Sequence, residues 1–198
     1  MKQELELNKQ NPFIRGYYID PDICDSIVNE IKNNYSNLFN LTISPQGYYN
    51  SFLEKFEQPG RILYLNALME CVGQYKAEFK YSYTTLDMWS LQSGIKIQHY
   101  TPNNYYVNWH CENDGVPATN NRHLVYMTYL NTINNGGGTE FFHQNLQVKP
   151  EKGLTLIWPA DWTHMHRGMI ASNEDKFIIT GWFIFNNSRP FAEGLYKF

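Results

Sequence analysis

From about residue 84 onward the sequence consists of short runs of β-branched and aromatic residues, and this pattern limits the possible folds more strongly than any other feature. Turn-forming segments such as Pro102–Asn104, Asn134–Gly138 and Pro150–Gly153 separate the runs. The runs predict strands at Leu86–Leu91, Ile95–Tyr100, Tyr105–Cys111, His123–Leu130, Thr139–Phe142, Leu146–Val148, Leu154–Trp158 and Lys176–Phe185. Many short strands with such spacing are typical of a sandwich or a barrel.

The first third of the chain has a helical pattern instead. Asp20 suits the N-cap of a helix and Pro21 its first position. Apolar side chains then recur at every fourth position between residues 23 and 35, which predicts one buried helix face. The polar segment Leu38–Gln58 reads as a loop, and a second helix is expected after Pro59-Gly60.

Two helices followed by about eight strands predict a mainly β fold with N-terminal helices packed on a jelly roll. The sequence has no internal repeat, low-complexity tract or linker. We therefore expect one domain over residues 1–198, with helical support at about 13–82 and a jelly-roll core at about 84–186.

Composition limits the classes of partner and the compartment. With 16 basic and 19 acidic residues, the net charge of −3 gives no electrostatic reason to expect nucleic acid. No apolar run approaches the ~20 residues of a membrane span, and the polar N-terminus lacks the apolar core of a secretory signal. Cys24, Cys71 and Cys111 are odd in number and far apart, which disfavours both a disulfide framework and a cysteine-rich zinc site. A cytoplasmic location is expected.

The segment Trp109–Asn113 contains a potential pair of metal ligands. Alternate side chains of a strand point to the same face, so His110 and Glu112 would project together. With one distant histidine they would form a 2-His-1-carboxylate triad, which is diagnostic of non-haem Fe(II) oxygenases. A His-x-Glu pair is common by chance, so this motif needs support from elsewhere in the chain.

A second histidine pair, His164 and His166, repeats the two-residue spacing, and one of the two would suffice as a third ligand. The other would contact a ligand or the substrate. Lys176 follows at the start of an apolar strand, where a buried ammonium needs an anionic partner. A dicarboxylate co-substrate would supply that anion. A solvated lysine at the strand edge is the alternative.

Taken in order, several motifs resemble the prolyl-4-hydroxylase-type branch of the Fe(II)/2-oxoglutarate dioxygenase superfamily, over roughly Phe13 to Phe185. Each motif is short, but their shared order makes coincidence improbable. The positions that match are Tyr100, ten residues before His110, and then Tyr129-Leu130-Asn131, Gly136–Phe141, Pro150–Gly153, Lys176 and Thr180-Gly181-Trp182. The family fold is a double-stranded β-helix, a variant of the jelly roll, in agreement with the strand pattern.

The resemblance implies a role for each matched residue. It implies that Fe(II) is bound by His110, Glu112 and His166. It implies that Lys176 contacts the distal carboxylate of 2-oxoglutarate. Hydrogen bonds to that co-substrate would come from the hydroxyl groups of Tyr100, Tyr129 and Thr180. The ten-residue spacing to Lys176 favours His166 over His164 as the distal ligand. Glu112 departs from the family, which more often has aspartate there, but it remains an oxygen ligand suited to iron.

The implied reaction consumes O₂ and 2-oxoglutarate, with ascorbate as a candidate reductant, and releases succinate and CO₂. It hydroxylates an unactivated C–H bond, and the branch favours a prolyl residue in a peptide or protein. Oxygenation of a small molecule is an alternative. A catalytically silent jelly roll that binds a metal or a partner, and a metal-dependent isomerase of the cupin type, are further alternatives. Binding of 2-oxoglutarate would separate the oxygenase from the last two.

Overall fold

Ten β-strands and two α-helices make up the part of the chain that the computed structural model describes, residues 12–82 and 89–186. The helices are α1 (Pro21–Leu38) and α2 (Gln58–Glu78). The strands are β1 (Arg15–Tyr18), β2 (Tyr49–Phe52), β3 (Trp89–Leu91), β4 (Lys96–Tyr100), β5 (Arg122–Tyr129), β6 (Thr139–Phe141), β7 (Leu146–Val148), β8 (Leu154–Pro159), β9 (His166–Gly168) and β10 (Lys176–Phe185). Neither helix is long and apolar enough to cross a membrane.

Helix α1 begins where its capping residues predict. The Asp20 side chain accepts a hydrogen bond from the backbone N–H of Asp22 at 3.0 Å, which satisfies one of the free donors of the first turn. Ile27 and Ile31 are fully buried, so the four-residue apolar repeat does mark the buried face. Helix α2 begins at Gln58, slightly before the predicted position, because Pro59 fits within the first helical turn.

Two antiparallel sheets form the β part of the fold. The larger has seven strands in the order β1-β8-β5-β10-β4-β2, with β3 paired to the far end of β10. The smaller has the order β7-β6-β9. The jelly roll expected from the strand pattern is confirmed.

Strand β5 shows how the large sheet separates two cores. Leu124 and Tyr126 face the helices, where they join the core that α1 and α2 cover. Val125, Met127 and Tyr129 point the other way and pack with residues of the small sheet. Since side chains alternate along a strand, one face of the large sheet is sealed by helices and its inner face looks into the jelly roll.

Several local predictions differ from the structure. Tyr105–Cys111 is not a strand but an irregular segment with a single β-bridge at His110. Strands β1, β2 and β9 are not predicted, and β2 lies in the segment read as a loop, Leu38–Gln58. These strands have three or four residues, too few to establish a period of two.

The predicted boundary between helical support and jelly-roll core is also less sharp than expected, because β1 and β2 add strands to the large sheet from within residues 13–82. Of the predicted strand Leu86–Leu91, only residues 89–91 lie within the described part of the chain.

Candidate metal centre

His110, Glu112 and His166 converge in space. Their potential ligand atoms all lie within 4.8 Å of one another, and Glu112 Oε1 is 3.5 Å from His110 Nε2 and 3.6 Å from His166 Nε2. Two backbone hydrogen bonds set the two histidines opposite each other: His110 N–H to His166 O at 3.0 Å, and His166 N–H to His110 O at 2.9 Å. The backbone between β4 and β5 is therefore held against β9 at the position where the ligand atoms meet.

Both histidines have one ring nitrogen occupied by the backbone. His110 Nδ1 lies 3.0 Å from Asn108 O, and His166 Nδ1 lies 3.0 Å from His164 O. A carbonyl oxygen can only accept, so each Nδ1 carries the hydrogen and each Nε2 is the nitrogen turned toward Glu112. Each Nε2 is therefore free to bind a metal cation, which is the arrangement usual for metal-binding histidines.

Glu112 is held from the opposite side by two donors. Trp182 Nε1 donates to Glu112 Oε2 at 3.0 Å, and Arg122 Nη1 donates to the same oxygen at 3.2 Å and to Glu112 O at 2.9 Å. Oε2 is thereby occupied, and Oε1 is left to face the imidazoles. Burial alone would raise the pKa of Glu112, but the hydrogen bonds and charges of His110 and His166 outweigh it and hold that pKa well below its usual range. The centre thus offers one anionic oxygen and two imidazole nitrogens.

A cavity of about 400 Å³ adjoins these three residues and is lined by the inner face of the large sheet. Lys176, Tyr100 and Thr180, all expected from sequence to contact a co-substrate, line it. Tyr129 does not belong to this wall. Its hydroxyl lies 2.6 Å from Thr139 Oγ1, and Thr139 is the residue that lines the cavity.

Lys176 is a buried cation with no anionic partner among the described residues. Its side chain lies in the cavity wall with the residue only 4% exposed, and Nζ sits 4.4 Å from the centre of the Tyr100 ring. Burial lowers its pKa to about 8. No carboxylate in residues 12–82 and 89–186 forms an ion pair with it, so the cost of burying this charge is uncompensated by the protein. The position is therefore suited to an anionic ligand rather than to solvent.

His164, the other histidine considered from sequence as a third ligand, lies apart from the centre. His164 belongs to a 3₁₀ helix at Trp162–His164, and its Nε2 is 3.3 Å from Pro12 O rather than beside Glu112. Arg167, which follows His166 in the chain and also lines the cavity, donates to Glu140 Oε2 at 2.9 Å and covers the Trp109 ring at 4.3 Å.

Sequence reasoning did not assign the residues that hold Glu112. Arg122 comes at the end of a polar segment that carries no pattern, so nothing in the sequence points to it. Trp182 stands in the Thr-Gly-Trp motif, which is a signal of position but not of a hydrogen bond to a carboxylate. A Cβ at the neighbouring Gly181 would lie 2.3 Å from the Tyr126 hydroxyl oxygen, so a larger residue there would force the buried Tyr126 side chain to shift.

Comparison with known proteins finds one matching family model and several structures of similar fold. Residues 95–184, which include the candidate metal centre and the strands from β4 almost to the end of β10, match the family model described as the 2OG-Fe(II) oxygenase superfamily. No curated protein has significant sequence similarity to this chain.

Three solved structures are similar in fold. A viral collagen prolyl hydroxylase from Paramecium Bursaria Chlorella virus-1, in complex with 2OG, has a TM-score of 0.65 at 17% identity, with 87% of this chain and 96% of that chain covered. A Pseudomonas putida prolyl-4-hydroxylase has a TM-score of 0.66 at 14% identity, covering 91% and 95%. A Trichoplax adhaerens prolyl hydroxylase, in complex with a peptide fragment of hypoxia inducible factor, has a TM-score of 0.65 at 17% identity, covering 91% and 86%.

These structures show the fold, while the family model matches the segment in which the two histidines, the carboxylate and the buried lysine meet. Fe(II) is the cofactor and 2-oxoglutarate the co-substrate of this family. Over residues 95–184, the chain is similar to the 2OG-Fe(II) oxygenase superfamily.

Proposed function

We propose that this protein hydroxylates an unactivated C–H bond, in a prolyl residue of a peptide or protein, with consumption of 2-oxoglutarate and O₂ and release of succinate and CO₂. One observation carries the proposal: the His110, Glu112 and His166 cluster opens on the same cavity in which Lys176 lies buried, with no anion from the described part of the chain beside it. A metal-binding domain without enzymatic function has no need of that second feature.

The donor set fits iron. Two imidazole nitrogens and one carboxylate oxygen are the ligands of the 2-His-1-carboxylate oxygenases, and they leave coordination positions open. We assign His110 Nε2, His166 Nε2 and Glu112 Oε1 as the ligand atoms, because each Nδ1 and Glu112 Oε2 already have partners. When bound there, Fe(II) would supply the activation of O₂ that no side chain can provide.

The fit to 2-oxoglutarate rests on charge. One end of this dianion would bind beside the three ligand residues, and its distal carboxylate would be met by the Lys176 ammonium. Tyr100 and Thr180 line the same space and would offer hydroxyl groups to the co-substrate. Tyr129 would act through Thr139, whose hydroxyl it contacts at 2.6 Å, as a positioning residue.

Two kinds of observation support a prolyl substrate. The three similar structures are those of prolyl hydroxylases, and one of them holds a peptide. In this chain, Tyr106 lines the cavity next to His110, and Trp162 is 67% exposed. Aromatic side chains of this kind form grooves for proline-containing segments.

The proposal treats the chain as one domain in the cytoplasm. Because β1 and β2 share a sheet with the strands of the second half, the two halves of the chain support one site. Within the described residues, Cys24, Cys71 and Cys111 form no disulfide, in keeping with a reducing compartment.

The first test is succinate production from 2-oxoglutarate by the purified protein with Fe(II) and ascorbate, without a substrate, beside a His110→Ala control. Iron-dependent succinate that disappears in the control is the expected result. Proline-containing peptides would then be examined by mass spectrometry for the gain of one oxygen atom.

Each negative result removes a different part of the proposal. Absence of both succinate and 2-oxoglutarate binding would indicate the silent metal-binding domain. Succinate together with oxygenation of a small molecule, but of no peptide, would contradict only the substrate class.

A further inference from the structure

Lys96 is a second lysine on the cavity wall, and no motif in the sequence points to a role for it. It is the first residue of β4, opposite Thr180 of β10, while Tyr100 at the other end of β4 lies opposite Lys176. At about 3.3 Å per residue, Lys176 and Thr180 are roughly 13 Å apart along β10. Lys96 and Lys176 therefore lie at opposite ends of the part of the cavity wall that the inner faces of β4 and β10 form.

Lys96 has no ion-pair partner in the part of the chain that the structure describes. The ammonium sits 5.0 Å from the centre of the Trp182 ring, and burial lowers its pKa while the charge of Glu112 opposes that effect. No carboxylate in the described residues forms an ion pair with it. Glu112 is already held by Arg122 at 3.2 Å.

Asp114 is the other carboxylate that lines the cavity, and it is already engaged. It accepts hydrogen bonds from the Thr119 hydroxyl and the Val116 backbone N–H. In the proposed function, 2-oxoglutarate satisfies Lys176, and the charge of Glu112 is directed to the metal. The loaded cavity would keep a cation without a partner, beside the open side of the metal centre.

We propose that Lys96 binds a carboxylate of the substrate, carried close to the carbon that is hydroxylated. This inference rests on the proposed function and names the substrate chemistry of the same site. The carboxylate could belong to an acidic residue next to the target proline, or it could be the free C-terminal carboxylate of that proline. Both place the same anion near Lys96, and the experiment separates them.

The test is calorimetric binding to protein loaded with Fe(II) and 2-oxoglutarate in the absence of O₂. One pair of end-blocked peptides is Gly-Glu-Pro-Gly and Gly-Gln-Pro-Gly, and the other is N-acetyl-Gly-Gly-Pro as the free acid and as the amide. The variants are Lys96→Met, which keeps an apolar stem against Trp182, and Lys96→Arg, which keeps the charge. Lys149→Met is the matched control, because it removes the same charge from an exposed position outside the cavity.

We expect the wild-type protein to bind the anionic member of one pair about tenfold more tightly than its neutral partner, as for a charge-assisted hydrogen bond. Lys96→Met should abolish that preference, Lys96→Arg should retain most of it, and Lys149→Met should leave it unchanged. The pair that shows the preference identifies the source of the carboxylate.

Three results would overturn the inference: no preference in the wild-type protein, a preference that survives in Lys96→Met, or an equal loss of affinity for neutral and anionic peptides. Equilibrium dialysis of 2-oxoglutarate is measured in parallel. If Lys96→Met weakens that binding as strongly as Lys176→Met does, Lys96 serves the co-substrate and the inference is wrong. Succinate formation without peptide tests the proposed function separately, so the two failures are distinguishable.

Discussion

Histidine side chains contact a carboxylate in two clusters, which lie on opposite faces of the large sheet. On the inner face, His110, Glu112 and His166 form the metal cluster. On the helix-covered face, Tyr35 of α1, His99 of β4 and Asp175 form a second group, the His99 cluster, in which His99 is stacked on Phe177 with ring centres 4.3 Å apart.

The two groups differ in how the ring nitrogens are used. His99 Nδ1 is 2.6 Å from the Tyr35 hydroxyl and His99 Nε2 is 2.7 Å from Asp175 Oδ1, so neither nitrogen is left for a ligand. In the metal cluster, only Nδ1 of each ring is engaged by the backbone, and Nε2 faces a carboxylate beside an open cavity. Residue types alone do not distinguish a metal site from a structural cluster, whereas the partners of both ring nitrogens do.

The strongest test of this distinction compares Glu112→Ala with His99→Ala. We expect Glu112→Ala to weaken Fe(II) binding by more than about 100-fold and to abolish succinate formation, because a ligand loss exceeds the 10–100-fold cost of losing a residue that supports a ligand. His99→Ala should keep Fe(II) affinity within a small factor. Metal titration under argon measures both, and retained iron affinity in Glu112→Ala would remove the assignment.

Removal of the buried ammonium should have the next largest effect. Lys176→Met is expected to raise the dissociation constant for 2-oxoglutarate about 100-fold, since loss of one partner of a buried charge pair costs about 2–5 kcal/mol. Fe(II) binding should be unchanged. Lys149→Met is the matched control for charge, and equal 2-oxoglutarate affinity in the wild-type protein and Lys176→Met would contradict the assignment.

The same lysine predicts a pH dependence of co-substrate binding. In the empty protein its pKa is lowered to about 8 by burial. The dianion binds the charged form, so above about pH 8 binding must take up a proton, and affinity should fall by about tenfold per pH unit. Lys176→Arg should bind independently of pH in this range, because a guanidinium stays charged. A flat wild-type profile between pH 7 and 10 would show that the lysine is not the anion partner.

A smaller effect is expected from the residue that orients Glu112. Trp182→Phe removes the 3.0 Å hydrogen bond from Nε1 to Glu112 Oε2 but keeps an aromatic ring in place. Iron affinity should fall about tenfold, the lower end of the usual cost for a group that supports a metal ligand. Trp89→Phe is the control, because its Nε1 donates to Ser82 O away from the cavity. Equal iron affinities in the two variants would assign Trp182 a packing role only.

The smallest effect belongs to the His99 cluster. Tyr35→Phe deletes the hydroxyl that contacts His99 Nδ1, and the unfolding free energy should fall by about 1–2 kcal/mol, because a partly buried polar group loses its partner. Denaturant unfolding measures this, and the Fe(II) and 2-oxoglutarate affinities should not change. A loss of iron affinity in Tyr35→Phe would mean that the two clusters are coupled through the sheet.

Sequence reasoning reached the fold class through the longest strands. The runs that became β5 and β10 hold eight and ten residues, enough for the apolar pattern to emerge, and the capping signal at Asp20 located α1. It failed at Tyr105–Cys111, where a strand was expected. His110 and Glu112 still project toward His166, but backbone bonds from His110 to His166 and from Glu112 N–H to Ala160 O direct them, not the period of a strand.

By itself the sequence determined which residues can take part in the chemistry and their order along the chain, because the spacing and order of motifs can be read without a structure. Only the tertiary structure decided which of His164 and His166 meets Glu112, that Tyr129 lies behind Thr139, and that Arg122 and Trp182 hold the carboxylate. Those relations depend on which strands become neighbours. A hydrogen bond between residues 70 positions apart, such as that of Trp182 to Glu112, leaves no local pattern in the chain.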